Sequence, residues 1–209
     1  MIKHGIHKYL AFVIMLVNCT ADKYEGTVDN DPEIDSLNHR AMELVIFGRD
    51  SVLAAHSLWD KALTRNPDHQ GVLWNKLVYL NELGLFTESN KLYDRLEELT
   101  PNDPFIKSGH GAIHEILGDT LAARLKYEQA DSLFTKLLND NSVKPLNQSL
   151  IKVNYASNLK LLHRKSEADA ILEDILIYDP DPVIIEYVTK QKMMSRNDLL
   201  NELRSRGQN

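Results

Sequence analysis

Pro67 and Pro101 stand 34 residues apart, and the residues ahead of each keep the same spacing. Counting back from Pro67 gives Ala62, Trp59 and Ala55, and from Pro101 gives Leu96, Tyr93 and Ser89. Pro180 repeats the spacing with Ile175, Leu172 and Ala168, preceded by Ala156. A unit without a closing proline holds Gly111, Gly118-Asp119, Ala123, Tyr127 and Ala130. A fixed period in this range marks stacked helical hairpins, each too small to bury its own apolar face. Small residues where two helices cross let the backbones approach, and a large side chain one turn on fills the space beside them. A glycine between the helices, such as Gly84 or Gly118, suits a left-handed helix end. The closing proline is expected to open the next helix, where its missing N–H costs nothing.

Small residues at two positions, a large apolar residue four after the second, and a terminal proline resemble the tetratricopeptide repeat. The resemblance covers residues 36–182, in units 36–69, 70–103, 104–148 and 149–182. It implies an all-α, right-handed α-solenoid of about four hairpins, followed by C-terminal capping helices over 183–209. In the third unit Leu125, Leu133, Phe134, Leu137 and Leu138 stay apolar at helical spacing, so its second helix is expected to run to about Asn139. Asp181-Pro182 starts a capping helix, and Ser195-Arg196-Asn197-Asp198 restarts a second ahead of Leu199, Leu200 and Leu203. Lys190, Lys192, Arg196, Arg204 and Arg206 are expected to face outward there.

In this family the first helix of each hairpin lines a concave groove, which implies a protein or peptide partner and no enzymatic activity. Register carries Arg40 and Phe47 onto that face from the first unit, and Trp74, Asn75, Val78, Asn81 and Glu82 from the second. The third contributes Ser108, Ala112 and Glu115, and the fourth Asn154, Ser157 and Lys160. An extended peptide would suit an exposed Trp74 ring beside the amides of Asn75 and Asn154. Packing between repeats is the other use for Trp74. The alternative for the whole chain is a structural subunit of an envelope assembly or secretion complex.

Lys3 and Lys8 precede a run without charge from Tyr9 to Val17, closed by Asn18 and the only cysteine, Cys19. That is a secretory signal, too short to span a bilayer. Ending in Cys19, it resembles the lipobox of bacterial lipoproteins, where the thiol receives diacylglycerol. The resemblance implies a signal peptide over 1–18 and a lipid anchor to a bacterial envelope membrane, the outer membrane first. Asn18 stands where lipoboxes hold Gly, Ala or Ser, so cleavage after Ala21 and a secreted, periplasmic protein is the alternative. Residues 19–35 hold Asp22, Glu25, Asp29, Asp31, Glu33 and Asp35, with hardly an apolar side chain, and read as an acidic flexible tether.

With one cysteine no intramolecular disulfide forms and no Cys-based zinc site exists. The 30 acidic residues outnumber the 24 basic ones, which argues against a nucleic-acid partner. His110 and His114, four apart on one helical face, are the only metal-like spacing. Glu115 lies outside the pair, and the register puts both imidazoles at packing positions, so neither metal nor cofactor is expected; a metal-binding or enzymatic protein using His110 and His114 is a further alternative for the chain. No nucleophile elbow or phosphate loop occurs, and no catalytic residue is assigned.

Overall fold

The computed structural model describes residues 31–140, 145–178 and 181–206. The signal segment, Cys19 and the tether as far as Asn30 lie outside them. Every regular element among the described residues is helical, and the chain forms two compact units, one ending at Leu83 and the other starting at Gly84.

The first unit holds α1 (Pro32–Leu44), a 3-10 turn (Val45–Phe47), α2 (Arg49–Arg65) and α3 (Gln70–Leu83). Asp31 caps α1 by accepting the Glu33 N–H, with Pro32 at the first helical position. Arg65 then binds both Asp31 and Glu33 at 2.8 and 2.7 Å. Residues 32–35, expected in the tether, therefore belong to a helix: a capped start, the Arg65 ion pairs and the burial of Ile34 against the core order this acidic segment. Trp59 is the centre of this unit, packed with Ile34, Ala41, Ala55 and Ala62 and stacked on Tyr79.

The second unit holds α4 (Phe86–Leu99), α5 (Pro104–Ile116), α6 (Thr120–Leu138), α7 (Pro145–Leu161), α8 (Lys165–Tyr178), α9 (Pro182–Met193) and α10 (Arg196–Arg206). α5 packs against α6, α7 against α8, and α9 against α8. Ala123, Tyr127 and Leu161 form one core with Leu200, while Phe105, Ala130, Phe134 and Ile151 form another.

All twelve positions of the repeating pattern are buried, in both units: Ala55, Trp59 and Ala62; Ser89, Tyr93 and Leu96; Ala123, Tyr127 and Ala130; Ala168, Leu172 and Ile175. The requirement for small residues is steric. A Cβ on Gly111 would lie 2.6 Å from the Tyr127 ring, too close for any side chain. The described residues are thus an all-α, tetratricopeptide-like hairpin fold.

The prolines do something different from what the pattern implied. Pro67 and Pro101 lie in the turns, three residues ahead of α3 and α5. The helix openers are Asp-Pro pairs, with Asp31, Asp103 and Asp181 as caps and Pro32, Pro104 and Pro182 at the first position. An aspartate that accepts backbone N–H groups supplies what a proline alone lacks.

Candidate functional site

At the tip of the α5–α6 and α7–α8 hairpins an open cavity of about 840 Å³ is bounded by Leu121 and Arg124 of α6, by His163 and Arg164 of the α7–α8 turn, and by Arg196. The turns that build it share one backbone device. Gly118 has φ +93 and His163 φ +64. After Gly118, the Asp119 N–H reaches back to the His114 carbonyl at 2.8 Å, and after His163 the Arg164 N–H reaches Leu159 at 2.8 Å. Both close their helix in the left-handed six-to-one arrangement.

The rim is apolar on one side and charged on the other. Leu121 is 80% exposed, Leu125 one turn further is 54% exposed, and Leu117 is also open to solvent. Opposite, Arg164 binds Asp131 and Glu167, at 2.8 and 2.7 Å. Arg196 donates from Nε to the Leu161 carbonyl at 3.0 Å and pairs with Glu115 through its guanidinium. Glu115 also accepts from the Tyr127 hydroxyl at 2.9 Å. Burial, reinforced by the Glu115 charge, pushes the Tyr127 phenol far above its ordinary range, so it remains a donor.

The groove positions fare unevenly. Phe47 is 72% exposed and Arg40 is exposed. Val78, Asn81 and Glu82 are half-buried. Trp74 is only 7% exposed, so its ring serves packing, not a peptide. Asn75 donates to Asn38 Oδ1 at 3.0 Å, the oxygen that also accepts from Trp59 Nε1 at 2.9 Å. Asn154 donates to the Leu150 carbonyl at 2.8 Å. Lys160 is buried, and its ammonium donates to the carbonyls of Gln191 and Met194 at 2.6 and 2.8 Å. Helix-end carbonyls need donors, and a long cationic side chain supplies them from the neighbouring helix. Trp74 and Lys160 are buried in the fold, while Asn75 and Asn154 are half-buried and hydrogen-bonded within it.

His110 and His114 stack with ring centroids 4.3 Å apart. His110 is fully buried, with Nδ1 2.7 Å from Glu97 Oε1 and Nε2 3.1 Å from Asn90 Oδ1. Both nitrogens are thus engaged by carboxylate and amide. Among the described residues no group of three or more metal-type ligands assembles. Sequence spacing could find the histidines but not the partners from α4, which lie 13 and 20 residues away. The outward set at the C-terminus also changes. Arg196 turns inward, because the Ser195-to-Asp198 capping box starts α10 against α5 and α7.

No protein-family model and no curated protein matches the chain. Among solved structures it is similar to MamA MSR-1 C2, at a TM-score of 0.45 and 14% identity over 90% of this chain and 97% of that one. A tetratricopeptide repeat protein from Parabacteroides merdae ATCC 43184 aligns with a TM-score of 0.43 and 12% identity, over 98% and 96% of the two chains. These likenesses are distant, and the hairpin fold stands on this chain's own packing.

Proposed function

We propose that the chain is a non-enzymatic protein-binding scaffold, held at a bacterial envelope membrane by lipid on Cys19. The observation that carries the binding part is the exposure of Leu121, which lines the cavity, together with that of Leu117 and Leu125, four residues to either side of it. Large apolar side chains grouped on a soluble surface mark an interaction site more often than chance exposure. Phe47, with Ile46 and Leu53, offers a second apolar group in the first unit. This reading puts the binding surface at exposed apolar side chains near hairpin tips, Phe47 being one that repeat register also assigns to the groove. A permanent subunit of an envelope assembly is the second reading, favoured by the same apolar character, since obligate interfaces are the more hydrophobic.

Crosslinked pull-down from native envelopes tests this, comparing the wild type with Leu121→Asp plus Leu125→Asp and with Phe47→Asp. A prey lost from one variant assigns the interface to that surface. Prey kept by both variants would sink the placement. The anchor is tested separately by Cys19→Ser, which should move the protein from the membrane to the soluble fraction and abolish labelling with a fatty-acid analogue.

A further inference from the structure

α10 is the least self-sufficient helix of the second unit. Of its described side chains only Leu200 is buried, and Leu199 and Leu203 are half-buried. It is nonetheless seated on a surface made for it. Leu200 enters the floor formed by Ala123, Tyr127 and Leu161. Its first residue, Arg196, meets Glu115, whose side chain is 8% exposed and has Tyr127 as its other partner. Glu115 is a groove position by repeat register, on the first helix of its hairpin. α10 therefore covers Glu115, one position of the face through which such hairpins are expected to bind.

The seat is a chemical template. An acid and a phenol hydroxyl stand at one end, an apolar floor follows, and the cavity bounded by Leu121 and Arg196 adjoins it. What it accepts is a helix with a guanidinium at one position and leucines three, four and seven residues later, as in Arg196, Leu199, Leu200 and Leu203. Without that cation the Glu115 carboxylate would be left nearly buried and unpaired, so the seat discriminates against helices lacking it.

We propose that α10 is a ligand bound in cis, and that its seat binds in trans an amphipathic partner helix bearing an arginine ahead of a leucine pair. This rests on the scaffold reading above and names its partner class. Because α10 is joined to α9 through Met194 and Ser195 alone, its local concentration is high, and the partner's apparent affinity falls by the fraction of time the seat is open.

A fluorescein-labelled peptide of residues 195–206 is the probe, titrated by anisotropy against the full chain. The wild type should bind it weakly. Leu200→Asp in the chain, which unseats the resident helix and leaves the seat intact, should bind it at least tenfold more tightly. Arg196→Glu in the peptide should lose at least tenfold of that, and Glu115→Arg in the Leu200→Asp chain should restore it. Arg196→Ala in the chain is the milder releasing variant, should Leu200→Asp lose helix content beyond α10. If neither releasing variant, with circular dichroism showing the hairpins folded, binds the peptide more tightly than the wild type, the proposal is overturned. The scaffold reading would survive that result if the envelope experiment still recovers specific prey, and would fall separately if the wild type captures none.

Discussion

Glu97 Oε1 lies 2.7 Å from His110 Nδ1, and the other oxygen of the same carboxylate binds Lys107 at 2.6 Å and Lys126 at 2.5 Å. One acid from α4 thus ties together α5 and α6. Burial alone would raise its pKa, but the hydrogen bonds from His110, Lys107 and Lys126 override that and hold it at about 2, against an ordinary 4.5. Two cations on a single carboxylate make it the electrostatic centre of the hairpin.

Because the folded value lies below the unfolded one, this stability is present in full above about pH 4.5 and is lost as the pH falls from there toward 2. The shift is worth at most ~3 kcal/mol, less what solvent access at the lysine side screens. Glu97→Gln should lower stability at pH 7 by about 3 kcal/mol, since it strands two half-buried ammonium groups. It should also flatten the acid limb. Urea unfolding at pH 7 and pH 3 checks this; parallel losses in the two proteins would refute it.

Gly111 marks a tight crossing of α5 on α6. Its missing Cβ would sit 2.6 Å from Tyr127 Cε1 and 3.1 Å from the Ala123 carbonyl, so neither ring nor backbone can yield cheaply. Gly111→Ala should destabilise by about 2 kcal/mol despite alanine's better helix propensity. Thermal unfolding reads it, and a rise in Tm would show that α5 and α6 are less closely packed than described.

His163 occupies the left-handed position that Gly118 fills in the hairpin before it. A side chain pays a steric cost there that glycine avoids. His163→Gly should therefore stabilise the second unit by about 0.5 kcal/mol, the relief of strain offset in part by greater freedom in the unfolded chain. A destabilised variant would mean that the imidazole makes a contact worth more than the strain.

Lys160 supplies donors to the link between α9 and α10, and its ammonium lies 3.9 Å from Asp169. Burial lowers its pKa, with Asp169 opposing that shift. The folded protein thus binds this proton less firmly than the unfolded chain, and the lysine's contribution to stability rises with pH through the window below its ordinary 10.5. Lys160→Met keeps most of the volume but leaves the Gln191 and Met194 carbonyls without this donor. It should cost about 2 kcal/mol, and amide exchange should accelerate across α9 and α10 before α7. Uniform acceleration would assign Lys160 to the core at large.

What the sequence determined is the hairpin. Spacings of four, three and five ahead of Pro67, Pro101 and Pro180 named the buried face, because close packing of two helices forces small and large residues into a fixed period. What it could not determine is which polar residues turn inward. Lys160 finds its acceptors 31 and 34 residues away, and Arg196 finds Glu115 at a distance of 81. Local periodicity says that a charged side chain leaves the apolar stripe; it carries no information about a carboxylate or a carbonyl brought alongside by a later helix. The same limit applies to Asn75, whose amide meets Asn38 from 37 residues away. Desolvating a polar group is favourable only when a partner waits at hydrogen-bonding distance, and that distance exists only once the helices have docked.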